Sequence, residues 1–137
     1  MTEWNFTVSA EDFGNPVPCK RATQKKAKSV AWSKSKETLD YKKYLDWKKH
    51  IRSCFIDYFD EPPENIFEKN KKYYVHVMIY YKNKTGGDPD NIGKGVKDAI
   101  FARPLNDKYC ADSNDFSFNE PENARVEITI REGKPHG

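Results

Sequence analysis

The sequence predicts one α/β domain built on a mixed (α+β) sheet, in the order β-α-β-α-β-β. Three stretches carry that prediction. Tyr44, Trp47, Ile51, Cys54, Phe55 and Tyr58 recur at helical spacing between Lys36 and Phe59. Tyr73 to Tyr81 is strand-length and apolar at both alternating sets of positions, as a strand central in a sheet would be. Ile92, Val96, Ala99 and Ile100 form one stripe on a shorter helix that follows an Asp-Pro-Asp bend.

The chain, 1–137, is long enough for one domain with a genuine core, and its 14% aromatic content argues against wholesale disorder. Charged residues make up 33% of it but the net charge is only +3, so the placement of charge matters more than its sum. Three scattered cysteines (Cys19, Cys54, Cys110) make no disulfide framework, and no signal-peptide core or membrane-length apolar run occurs. A cytoplasmic setting is expected.

Taken in order, Trp4 to Ser9 alternates as a half-buried first strand, and Phe13-Gly14-Asn15-Pro16-Val17-Pro18 breaks regular structure. Residues 19–36 contain no acid and carry Lys20, Arg21, Lys25, Lys26, Lys28, Lys34 and Lys36. That segment reads either as a solvated flexible loop or as a phosphate-contacting arm with Trp32 available for stacking. Ser35 is the expected N-cap of the long helix, whose Lys42, Lys43, Lys48, Lys49 and Arg52 are expected on a solvated or DNA-facing side. Asp60-Glu61-Pro62-Pro63 should end it, with Glu64 to Asn70 a polar linker. His76 is expected as a packed or hydrogen-bonded strand residue rather than a ligand. Beyond the second helix, 103–107 reads as a turn, 108–118 as a strand, 119–123 as a hairpin-type break, 125–131 as a last strand and 132–137 as a frayed tail.

The chemistry concentrates in Gly86-Gly87-Asp88-Pro89-Asp90-Asn91, just past the carboxyl end of the expected central strand. Pro89 pushes Asp88 into an extended conformation, in which side chains two apart share a side, so Asp88 and Asp90 can converge. Asp90 is the expected N-cap of a helix starting near Asn91, with Lys94 one turn from both Asp90 and Asp98. Two carboxylates about 5 Å apart repel by roughly 3 kcal/mol at an effective dielectric near 20. A cation between them removes that cost, and Mg²⁺ takes one or two carboxylates plus water and phosphate oxygens. The plain alternative is a turn and an N-cap with both acids solvated. An EF-hand is excluded, because Ile92 and Ala99 fall at ligand positions.

Asp88, Asp90, Asn91, Lys94, Asp98, Ala99 and Ile100 together resemble the D-x-D-N-x-x-K-x-x-x-D-A-[LI] motif of the RusA family of Holliday-junction resolvases. Ala111-Asp112-Ser113-Asn114 resembles that family's D-D-S-Q segment. Gly14 to Arg21 resembles its glycine-proline-basic opening, and Val126 to Ile130 its final strand. Three positions depart from the pattern. Ala111 replaces the first acid of the D-D pair, Gly87 stands where many members have a basic residue, and no phenylalanine closely precedes Asp88.

The resemblance implies a homodimeric, bacterial or phage-encoded, Mg²⁺-dependent endodeoxyribonuclease, with Mn²⁺ as a substitute ion and no small-molecule cofactor. Its substrate would be four-way or branched DNA, nicked symmetrically during recombination and repair. Asp88, Asp90 and Asp112 would be the metal ligands, and Lys94 would join them in catalysis. Lys20, Arg21, Lys25, Lys26, Lys28, Lys82 and Lys84 would contact DNA, while Asn91 and Asp98 would support the site from behind. Lys94 has a simpler alternative role as an i,i+4 ion-pair partner. A non-catalytic branched-DNA-binding protein is the rival from another class. A magnesium-dependent nucleotidyltransferase is a third reading, but a strand stands where that class wants a Gly-Ser helix start.

Overall fold

The computed structural model describes residues 3–20, 36–69, 71–83, 87–102, 105, 110–111 and 116–133. Strand β1 (Glu3–Ser9) is followed by a 3₁₀ turn at Glu11–Phe13, helices α1 (Lys36–Phe59) and α2 (Pro63–Ile66), and strand β2 (Tyr73–Tyr81). Helix α3 (Pro89–Ile100) then leads to β3 (Cys110–Ala111), β4 (Phe116–Asn119) and β5 (Arg125–Glu132). β5 lies between β1 and β2 and is antiparallel to both. β3 and β4 run parallel to β2, on the edge that β5 leaves open. β3 meets Tyr73 and Tyr74 at the amino end of β2, and β4 meets Met78 to Tyr81 at its carboxyl end. Parallel neighbours need a crossover, and α3 supplies it. The domain is therefore a mixed α+β fold.

The apolar patterns explain these elements. On α1, Tyr44, Trp47, Ile51 and Phe55 are buried against β1 and α3, and full burial of a large apolar side chain contributes about 1.5–3 kcal/mol. Tyr58, expected in that stripe, is instead 56% exposed, its ring tilted against those of Phe6 and Phe59 at about 6 Å. Tyr73, Val75, Val77, Ile79 and Tyr81 of β2 meet Val126, Ile128 and Ile130 of β5 in the core. Arg52 is not merely solvated. Its guanidinium grips both oxygens of Glu64 at 3.0 and 2.8 Å and donates to the Ala99 carbonyl at 3.2 Å, joining all three helices. Burial raises the Glu64 pKa, but hydrogen bonds from Arg52 and the local backbone outweigh it, so the net direction is downward.

Several expectations need correction. β2 is central in strand order, but among the described residues helices cover only one face of the sheet. On the other face Tyr74 is 44% exposed and His76 is exposed, because only the odd-numbered set of β2 points at α1 and α3. The break at 119–123 is not a hairpin. It carries the chain across the end of β2, from the β4 edge to the β5 edge, with Glu120 N–H donating to the Tyr81 carbonyl at 2.8 Å. The linker after α1 contains the short helix α2, started by Pro63 at its first position. Glu132 belongs to β5 and pairs with Lys71, and Gly133 N–H reaches the Lys72 carbonyl at 2.8 Å, so the tail is anchored through residue 133. The basic segment 21–35 with Trp32 and Ser35, and most of 103–109, lie outside the described residues. No helix among the described residues is long and apolar enough to cross a membrane.

Candidate metal and nucleic-acid site at the end of the central strand

The site begins where β2 ends. Asn15, in the break after β1, accepts Lys82 N–H at 2.6 Å and Asn83 N–H at 3.4 Å, while its side-chain amide donates to Asn83 Oδ1 at 3.1 Å. The Tyr81 hydroxyl donates to the Gly87 carbonyl across the bend. Gly87 itself is pressed against the Pro18 ring: a Cβ there would lie 2.7 Å from Pro18 Cβ and Cγ. Any side chain at 87, a basic one included, would meet that ring. One stretch far away in sequence, Asn15 to Pro18, thus meets the chain both where it leaves β2 and at Gly87.

Asp88 follows, extended at φ −61° and ψ 131°, and it is the N-cap of α3; Asp90 is not. Asp88 Oδ1 accepts the Asp90 N–H at 3.2 Å, and Pro89 occupies the first helical position. The reason is proline's preference for that position, which moves the cap one residue upstream of it. Asp90 therefore lies inside the first turn, where the helix dipole favours a negative charge. Both carboxylates are exposed, and Asp90 has no ion-pair partner among the described residues. Lys94, one turn on, is exposed and makes no ion pair among the described residues, so the simple salt bridge to Asp90 or Asp98 is not formed.

Asp98 is engaged with α1 and the segment after β1. Its Oδ2 accepts the Tyr44 hydroxyl at 3.1 Å and lies 3.7 Å from the Cys19 thiol. Cys19 N–H in turn donates to the Asn91 carbonyl at 3.0 Å. Gly95 makes this approach feasible, since a Cβ there would sit 3.1 Å from the Tyr44 ring. Burial, the bond with Cys19 and the negative charge of Asp98 all push the Tyr44 phenol pKa upward. Asp98→Ala should strand a half-buried hydroxyl and thiol, lowering stability by about 1–3 kcal/mol. Tyr44→Phe should lower it less, and the double variant should fall short of the sum. Thermal melts of the three variants check this; an Asp98→Ala melting temperature equal to wild type would contradict it. Sequence reasoning missed Asn15, Cys19 and Tyr44 here. Only Gly95, a glycine inside a helical stripe, hinted at a close helix–helix approach.

Among the expected DNA-contacting residues, Lys20 and Lys82 are exposed at this end of the sheet, Lys20 beside Gly87 in a common cleft. Arg21, Lys25, Lys26, Lys28 and Lys84 lie outside the described residues, as does Asp112. The residue before Asp112, Ala111, pairs with Tyr74 near the amino end of β2, whereas Asp88 follows its carboxyl end. No group of three His, Cys, Asp or Glu side chains gathers among the described residues. The fold and site define a mixed α+β domain with two exposed carboxylates, an exposed lysine and flanking basic residues at the end of its central strand. No protein-family model matches the chain, and no curated protein matches it.

Proposed function

We propose that the chain is a RusA-type, Mg²⁺-dependent endodeoxyribonuclease that nicks four-way DNA junctions as a homodimer. The observation that carries this reading is the pairing of Asp88 with Asp90 at the start of α3. Both acids are exposed, and no cation among the described residues neutralises them. The donor set fits a hard divalent ion: among the described residues, Asp88 commits one oxygen to Asp90 N–H and keeps the other, and the Asp90 carboxylate is uncommitted. Asp112 is proposed as the third ligand, on the resemblance alone. Bound there, the ion would supply Lewis-acid activation of the attacking water and neutralise charge on the phosphate oxygens.

The chain's own residues do the rest. The hydrogen bond to Asp90 N–H holds the Asp88 carboxylate in one orientation, so no reorganisation is needed when the site fills. Lys94, unpaired among the described residues and one turn further along α3, offers an ammonium for charge developing on the leaving oxygen. Lys20 and Lys82 offer phosphate contacts that position the strand without reading its bases. Two such sites related by a two-fold axis match the symmetry of a four-way junction.

One observation favours the rival reading of a non-catalytic branched-DNA-binding protein: the far position of Ala111 along β2. A synthetic four-way junction, incubated with protein in Mg²⁺ or in EDTA, tests both. Paired symmetric nicks in Mg²⁺ and binding without cleavage in EDTA are expected. Binding without cleavage in Mg²⁺ would favour the rival, and equal cutting of linear duplex would mean a general nuclease.

A further inference from the structure

A cleft of about 440 Å³ opens beside the bend, lined by residues 13–18, Lys20, Asp40, Lys43 and Gly87. We propose that it receives one unstacked nucleotide of the bound strand, next to the phosphate addressed by Asp88 and Asp90. This rests on the nuclease reading and adds a subsite to it.

Size and chemistry both select the ligand. The volume falls in the range of small-molecule sites, about 300–1,000 Å³, which admits a nucleoside monophosphate unit. Phe13, Pro16, Val17 and Pro18 give part of the wall an apolar character suited to the flat face of a base. Lys20 and Lys43 come from different segments and supply two ammonium groups for phosphate. Asp40 is the discriminating residue. It is half-buried on the first turns of α1, one turn before Lys43, and no hydrogen bond or ion pair joins it to the other described residues. A carboxylate is a poor lining for a bare anion site, but it accepts the exocyclic amino or ring N–H of a base. One ligand satisfies all three charges: a phosphate for the lysines and a base edge for Asp40.

Position ties the cleft to the reaction. Gly87 forms part of its wall, and the next Cα, that of Asp88, is about 3.8 Å away. Pro18 sits against Gly87 and Asn15 clamps the exit of β2, so the wall and the carboxylates move as one unit. A nucleotide seated here is unstacked from its neighbours, and unstacking costs a few kcal/mol, least at an already distorted junction centre.

Amide chemical-shift titrations of the full chain test this, using deoxynucleoside monophosphates, a tetrathymidylate oligonucleotide and inorganic phosphate as separate probes. At about 10 mM, the mononucleotides should shift the amides of Phe13, Gly14, Asn15, Val17, Cys19, Lys20, Asp40 and Lys43 with millimolar affinity. The oligonucleotide should shift the same signals at lower concentration. Lys43→Glu should weaken both by roughly tenfold, from loss of one charge-assisted contact. Asp40→Asn should change the preference among the four bases. Equal shifts with phosphate alone, or none with any nucleotide, would overturn the proposal, and a response to mononucleotides but not to the oligonucleotide would overturn its assignment to the DNA strand. Junction cleavage in the same preparations separates the two readings. Normal cleavage with a silent cleft sinks the subsite alone, whereas nucleotide shifts without cleavage or junction binding sink the nuclease reading and leave a nucleotide cleft.

Discussion

Asp90→Asn should abolish junction cleavage, by roughly a thousandfold or more, while leaving junction affinity and folding stability nearly unchanged. The two halves of that expectation have separate physical grounds. The loss of rate follows from replacing an anionic oxygen by an amide, a poor ligand for Mg²⁺ beside carboxylates. The retained stability follows from where Asp90 stands. Asp88, not Asp90, caps α3, and the Asp90 side chain makes no bond to the other described residues that an amide would break. Two small terms oppose each other: the amide forgoes a favourable helix-dipole interaction of about 0.3–1 kcal/mol, and it relieves repulsion from Asp88, which water and salt screen to about 1 kcal/mol or less because both carboxylates are exposed. Stability should therefore stay within about 0.5 kcal/mol of wild type without metal. Gel-shift affinity in EDTA, cleavage rate in Mg²⁺ and a metal-free melt read the three quantities. Cleavage within tenfold of wild type would remove Asp90 from the catalytic set. A large loss of melting temperature would show that its carboxylate supports the fold.

The second large effect should come from a residue with no reactive group. Gly87→Val places a branched side chain against a proline ring that already lies 2.7 Å from where a Cβ would be. Pro18 cannot rotate away, since it is flanked by buried Val17 and by Cys19, whose N–H is held by Asn91. The bend must move instead, and Asp88 moves with it. Overpacking of this kind costs about 1–3 kcal/mol in stability. Displacement by about 1 Å of a group that positions the reacting atoms costs roughly a hundredfold in rate. Gly87→Ala should show the same effects at smaller size. Wild-type melting and cleavage for both variants would mean that the Pro18 contact does not position the site.

The parts of this protein that were legible in its sequence are those whose signal is long or local. The bounds of α1 and β2 follow from periodic runs of 24 and 9 residues, and the position of the Asp-Pro-Asp bend follows from β2 and the α3 stripe on either side. The N-cap falls on Asp88 rather than the expected Asp90 for a reason visible in the chain, because proline belongs at the first helical position and the cap just before it. Other features depend on pairings between distant segments. The edge of β2 is shared by β3 and β4 in parallel, and nothing in 108–118 distinguishes that from one strand turning back in a hairpin. Asn15 clamping Lys82 and Asn83, and Tyr44 and Cys19 meeting on Asp98, join residues 54 to 79 positions apart. Tyr44 in particular looks purely apolar in the stripe; its hydroxyl matters only because Gly95 lets α3 come close.

Paramagnetic broadening by Mn²⁺ of the backbone amide signals, read residue by residue, tests the shared ion most directly. Substoichiometric Mn²⁺ should erase the signals of Asp88, Asp90 and Asn91 together with that of Asp112, and excess Mg²⁺ should restore all four. Asp115, chain neighbour of the Phe116 that pairs with Met78, serves as the internal comparison. Broadening that spares Asp112 while reaching the α3 start, or that reaches neither, would contradict a cation held by these three acids.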